Sequence, residues 1–310
     1  MKKTIPALLL ACVLFACKKE KNAESNEPAS DTKVPVKFSV QNLLLSQEDM
    51  SENGRVQTDT SLKRFSNIYY MAYKVNSNYE NTNVSYISQD TVNNKSNFGV
   101  ISDSLAPGTY TISLAATTEK LTVFGQGQWI YAQSYLGAKT GDEYRMGEFF
   151  HKMTTVTISA GDNPSAIEVP LERKVGLVKL DFKDALPASD PNGQVDFYVT
   201  NVCRSFTISN EQGTQPHISY RLTLRRTSQT TWEDFLVSQS GYTVNINLNW
   251  KDKVTGAPMS KTFTNVTIAP NKKTIISGYL YGAPLNPGGG DYSLKLNQTW
   301  SSDSTVLSIN

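Results

Sequence analysis

Apolar and polar residues alternate along most of this chain, and the repeat is two residues far more often than three or four. Val36, Phe38 and Val40 alternate with Lys37, Ser39 and Gln41, which predicts a half-buried strand. Residues 66–75 are apolar on both faces and predict a central strand. Val84 with Tyr86, and residues 98–101, mark shorter strands, while residues 43–54 read as a loop or short helix. After the turn dipeptide Pro107-Gly108, Tyr110, Ile112, Leu114 and Ala116 alternate with Thr109, Thr111 and Ser113. Residues 121–124 and 128–134 predict a pair about Gly125-Gln126-Gly127, and Val156 with Ile158 predict one more strand. Residues 142–153 have room for a helical turn, although Gly147 weakens it.

The same rhythm returns further on. Ile167, Val169 and Leu171 alternate up to a break at Pro170, which cannot donate to a central ladder. Val178, Leu180 and Phe182 follow, then Val195, Phe197 and Val199, then Ile218, Tyr220, Leu222 and Leu224. Trp232, Phe235 and Leu236 stand at i, i+3 and i+4, which predicts one capped helical turn over residues 231–237. From Tyr242 to Trp250 the alternation is faultless, against Thr243, Asn245, Asn247 and Asn249. Residues 263–268, 274–281 and 292–296 supply further strands, with a glycine joint at 287–290 and a last apolar alternation at 306–309. Short strands with turn signals about every ten residues and no βαβ rhythm predict an all-β chain of two consecutive antiparallel β-sandwiches. The expected division is residues 34–170 and 171–310.

The beginning of the chain breaks this pattern. Lys2 and Lys3 precede an apolar run that is too short for a membrane span, which needs about 20 residues. Leu14-Phe15-Ala16-Cys17 closes the run and resembles a bacterial lipobox. A signal peptide over residues 1–16 is expected, cut between Ala16 and Cys17, with Cys17 acylated as the new N-terminus. The plainer alternative is an ordinary signal with a chance cysteine. Residues 18–33 are polar with almost nothing to bury, and read as a disordered tether of about 20–25 Å root-mean-square reach.

Composition adds mainly exclusions. The formal net charge of the 310 residues is +2, with Lys and Arg scattered, so no basic stripe suggests nucleic acid. Of the three cysteines, Cys12 leaves with the signal and Cys17 is consumed by lipid, so Cys203 has no disulfide partner and reads as a small buried hydrophobe. The two histidines, His151 and His217, lack ligand neighbours at metal-site spacing; neither a metal site nor a catalytic triad is expected, and no cofactor motif is present. Gly125-Gln-Gly127-Gln lacks the third glycine and the strand–helix setting of a dinucleotide fingerprint. Adjacent carboxylates at Glu233-Asp234 and Asp142-Glu143 read as solvated or as lying near a helix start, more than as catalytic. Tyr69, Tyr70 and Tyr73, with Trp129, Tyr131 and Tyr135, suit either a core or an aromatic platform for sugar rings.

The lipobox, the polar tether, the strand entry Pro107-Gly108-Thr109-Tyr110, the run from Arg173 through Asp184 to Pro187, and the strand from Lys272 to Tyr281 together resemble the FimB-like fimbrillin-associated anchor family. The resemblance implies transthyretin-like sandwiches, attachment to the outer membrane of a Bacteroidota cell, and fimbrial subunits as partners, met by pairing at strand edges. Many anchors of that family carry cysteines soon after the lipidated one, whereas here none follows until Cys203, which leaves stalk and tip roles open. Stalk subunits are cut after a basic residue in the first domain, and Lys63-Arg64 is a candidate position. The expected function is non-catalytic, in pilus assembly or adhesion. A surface glycan-binding lipoprotein is the alternative, and an envelope hydrolase a third reading.

Overall fold

The computed structural model describes residues 32–41, 65–75, 82–124, 135–138, 145–162, 166–183, 195–252, 254–281 and 292–297. Every helix or strand among them is a strand. In the first sandwich, β1 (Val34–Gln41) lies between β4 (Val100–Leu105), its antiparallel neighbour, and β9 (Ile167–Pro170), its parallel one. Facing them is a five-stranded sheet ordered β10 (Glu172–Arg173), β8 (Phe149–Ile158), β5 (Gly108–Thr117), β2 (Asn67–Lys74), β3 (Thr82–Asp90). Val36, Phe38 and Val40 meet Ile68, Tyr70, Ala72, Ile112 and Leu114 between the sheets. The period of two places these side chains on one face, and their burial supplies the apolar transfer energy that holds the layers together.

The second sandwich repeats the plan. Its opening strand β11 (Val175–Phe182) lies between antiparallel β17 (Thr231–Val237) and parallel β20 (Lys273–Gly278); β16 (Arg225–Arg226) and β21 (Tyr292–Asn297) complete that sheet. Opposite are β15 (His217–Thr223), β12 (Val195–Val202), β18 (Val244–Lys251) and β19 (Pro258–Val266). The core gathers Phe182, Phe197 and Trp232, with Phe197 and Trp232 edge-on at 5.1 Å between ring centroids. Gly176 is required here: a Cβ would come within 2.6 Å of the Ala269 carbonyl oxygen.

The two sandwiches share a fifth sheet. It runs β14 (Gln212–Gly213), β13 (Ser205–Thr207), β7 (Tyr135–Ala138), β6 (Leu121–Phe124), so two strands come from each half of the chain. This sheet covers the outer face of β2, where Tyr69, Met71 and Tyr73 are buried with Leu121, Leu136, Phe149 and Phe206. A strand covered on both sides needs apolar residues at every position, which is why residues 66–75 show no alternation.

The all-β architecture agrees with the expectation, and antiparallel pairing dominates, with one parallel pair in each sandwich. Two expected helical turns are not found. Residues 231–237 form β17 instead, with Trp232, Asp234 and Leu236 all buried. The carboxylate at the middle of those three positions hides the alternation from a hydrophobicity count. Residues 149–158 are β8, which extends the expected Val156–Ile158 strand backwards. Gly147 precedes it with φ 66°, and a Cβ there would come within 2.4 Å of Thr118 Oγ1, so a left-handed turn stands where a helical turn was expected. Ile218, in the expected inward set, is 72% exposed on the edge strand β15. The features expected at residues 43–54, Lys63-Arg64, 125–134, 287–290 and 306–309 lie outside the described residues.

Candidate functional site

Ala16 and Cys17, the expected cleavage and acylation positions, lie outside the described residues. Within them, polar chemistry concentrates at the joint between the sandwiches. His151 on β8 is fully buried, its ring stacked on Phe149 and edge-on to Phe206 at 4.9 Å. Its Nδ1 lies 2.8 Å from Glu211 Oε1, and its Nε2 lies 2.8 Å from Ser113 Oγ. Glu211 belongs to the turn between β13 and β14, at φ 53°, and also accepts from Lys174 Nζ at 3.1 Å. Burial pushes the His151 pKa down, partly countered by the hydrogen bond to Glu211. Burial acts to raise the Glu211 pKa, but the contacts with His151 and Lys174 outweigh it and hold the carboxyl below its ordinary range. A carboxylate only accepts, so Nδ1 donates to Glu211; burial favours the neutral ring, whose Nε2 then accepts from the Ser113 hydroxyl.

Serine, histidine and glutamate in this order have the contacts of a nucleophilic triad. Their setting removes the chemistry: Ser113 and His151 have no exposed surface, and Phe149 and Phe206 close over the ring. No substrate carbonyl can reach the hydroxyl. The group acts instead as a fastener between the two sandwiches. Sequence spacing missed it because Glu211 lies 60 residues from its partner and on the other sandwich.

Two more polar fasteners cross the joint. Arg173, on the short strand β10, donates to Glu148 Oε1 at 2.6 Å and to Asn271 Oδ1 at 2.8 Å, and lies over the Phe150 ring. Arg173 and Glu148 are both buried, so each charge is compensated by the other inside the joint. Asp234 of β17 pairs with Arg145 of the first sandwich and with Arg225, which reaches Glu119 at 3.1 Å. Arg173 opens the run that carries the family resemblance, and Asn271 sits just before the Lys272–Tyr281 segment of it. The first stretch therefore opens on a contact with the residue that precedes the second.

The other candidates fall as follows. Tyr69, Tyr70 and Tyr73 are buried: Tyr70 donates to Asp103 Oδ2 at 3.0 Å, and Tyr69 donates to the Leu121 carbonyl at 3.1 Å. They are core residues, and Trp129 and Tyr131 lie outside the described residues. Cys203 is buried at 5% exposure, and burial pushes its thiol up to about 12. His217 is exposed at the start of β15. Among the described residues no group of His, Cys, Asp and Glu is placed to hold a metal ion, and no helix is long and apolar enough to cross a membrane. One cleft of about 370 Å³, at the rim of the shared sheet, is lined by Phe124, Arg204, Thr214, Gln215 and Tyr220. Another of about 280 Å³ contains Asp196 and Trp250. Among the described residues lining the two clefts, Asp196 is the one carboxylate, and it is paired with Arg221.

The sheet edges differ in how they are guarded. The edge strand β19 carries Pro258 and Lys261, β15 carries Arg221, β9 ends in Pro170 and β4 carries Asp103. The nine-residue edge β3 has neither proline nor charge before Asp90, and its Val84 is 48% exposed.

Tandem sandwiches fastened through a shared sheet and by polar contacts across their joint define a two-domain β protein. Solved structures share the fold. A candidate cell adhesion protein from Bacteroides eggerthii matches with a TM-score of 0.52 at 10% identity, over 86% of this chain and 96% of that one. A candidate polysaccharide-binding protein from Bacteroides thetaiotaomicron matches at 0.51 and 11%, over 80% and 92%. A fimbrial assembly protein from Parabacteroides distasonis aligns at 0.48 and 10%, over 85% and 96%. No curated protein sequence matches the chain. The family is given by sequence: the model for fimbrillin-A associated anchor proteins Mfa1 and Mfa2 matches residues 15–292, and the chain belongs to that family. Membership gives it a fimbrial or adhesive role at the surface of a Bacteroidota cell, in company with other fimbrial proteins.

Proposed function

We propose that the chain is an outer-membrane lipoprotein serving as the anchor or a minor subunit of a fimbrium. The observation that carries this reading is the family match over residues 15–292, which begins two residues before Cys17. Cys17 bears the lipid, residues 18–33 form the tether, and the two sandwiches form the interaction domains. A fimbrial subunit pairs an extended segment with an open sheet edge, main-chain hydrogen bonds giving affinity and alternate side chains giving specificity. The uncharged edge of β3 favours it as that edge. The test has two arms. Cys17→Ala should accumulate as unlipidated precursor and lose fatty-acid labelling; mutant protein still acylated and filling the outer-membrane fraction would refute the anchor. Val84→Lys should leave melting unchanged and remove co-purification with fimbrial subunits; undiminished co-purification would refute β3 as the docking edge.

A further inference from the structure

We infer that the first sandwich is a tension clamp, with β1 placed so that a pull through the tether shears its hydrogen-bond ladders instead of unzipping them. The argument comes from register. Asn67, Thr117 and Phe149 lie side by side at one end of the five-stranded sheet, the end where Phe149 packs with Val175 and Phe206 of the second sandwich. Gly108 and Ile158 mark the opposite end. Leu105 is three residues before Gly108 and pairs with Val34, so β1 begins at the end remote from the joint. It finishes beside Pro170, from which the chain passes through Arg173, paired with Phe150, into β11.

The tether therefore meets β1 at the far end, and the second sandwich holds the molecule at the near end. Tension between them runs along the strand, a length of about 26 Å for eight residues. Interstrand bonds lie across that line. The register with β4 pairs Val34 to Ser39, and that with β9 pairs Phe38 to Gln41, so both ladders must yield together. Val34, Val36, Phe38 and Val40 add resistance, since sliding β1 drags four buried side chains out of the core. Parallel pairing with β9 is the decisive element: β9 leads toward the second sandwich, so the two strands are drawn in opposite directions along their length. The joint passes the load onward through the shared sheet and the Arg173–Glu148 pair.

Forced unfolding reads the barrier and not the equilibrium, so the test is directional. The mature chain, unlipidated, is held by the Cys17 thiol; Cys203 stays unlabelled because it is buried. The second handle is Gln229→Cys, at the turn beyond Asp181–Thr231 and far from the joint, or Ser104→Cys, beside the start of β1. Pulling between 17 and 229 should rupture at a severalfold higher force than pulling between 17 and 104, which peels β1 pair by pair. Both variants should melt as the parent does, so stability cannot produce the difference. Equal forces, or a weaker axial direction, overturn the clamp. The inference rests on the anchored reading only for where load enters: an absent lipid with intact anisotropy would refute the anchor alone, and a lipidated chain without anisotropy the clamp alone.

Discussion

The two sandwiches share a plan and differ in what covers their sheets. In each, the opening strand has an antiparallel neighbour on one side and a late parallel strand on the other. The sheet containing β18 in the second sandwich turns one face to the core: Val244, Ile246, Leu248 and Trp250 are buried, and Asn245, Asn247 and Asn249 between them face outward. In the first sandwich both faces of β2 are covered, because the shared sheet lies on the outer one. One domain thus resembles a free-standing sandwich, while the other is an inner layer. The difference teaches that the joint is part of the first domain's core and not a surface added to it.

The comparison breaks most severely at the joint. Phe206→Ala, removing a ring 1% exposed between Phe149 and His151, should cost roughly 3–5 kcal/mol and split one melting transition into two. A single calorimetric peak at the parental temperature would show that Phe206 does not carry the coupling between the domains. The faces can then be set against one another. Met71→Asn, on the covered outer face, should cost roughly 2–4 kcal/mol through lost apolar burial and an unpaired amide. Asn249→Thr, at a half-exposed outward position of β18, should stay within about 0.5 kcal/mol, and denaturant midpoints measure both.

A further effect is electrostatic and depends on pH. His151 is held neutral when folded, so below about pH 6.5 the unfolded chain binds the proton more readily and stability falls with pH. Glu211 has its pKa lowered, so its contribution is also present near neutrality and lost on acidification. The groups facing the ring are Glu211, Ser113, Lys174 and Glu172, and their contacts tie this loss to the joint. The fall should be at most about 1.4 kcal/mol per pH unit from the histidine, and His151→Gln should flatten it between pH 7 and 5. An unchanged profile in that variant would remove His151 from the account.

The same contrast explains what could be read from the chain. Strands with one wet face, such as β18 and β12, were visible as alternation, and β2 as an unbroken apolar run. The all-β class and the buried Cys203 followed from that pattern. What escaped was nonlocal. β17 was hidden because Asp234 is buried through Arg145 and Arg225, and no periodicity marks a carboxylate that distant arginines neutralise. His151, Glu211, Arg173 and Glu148 are each unremarkable in sequence. A faint signal existed in Arg173, a charge set between strand patterns at the point where one rhythm ends and the next begins.

The shared sheet has a consequence for the order in which the molecule is made. A chain that leaves its synthesis or export machinery N-terminus first completes β1 to β8 before residue 205 emerges. Until then β7 lacks the neighbour supplied by β13, and Phe149 waits without Phe206. The first half thus passes through an interval with a bare strand and a greasy patch, the kind of intermediate that sticks to its neighbours unless a chaperone attends it or the remainder arrives quickly.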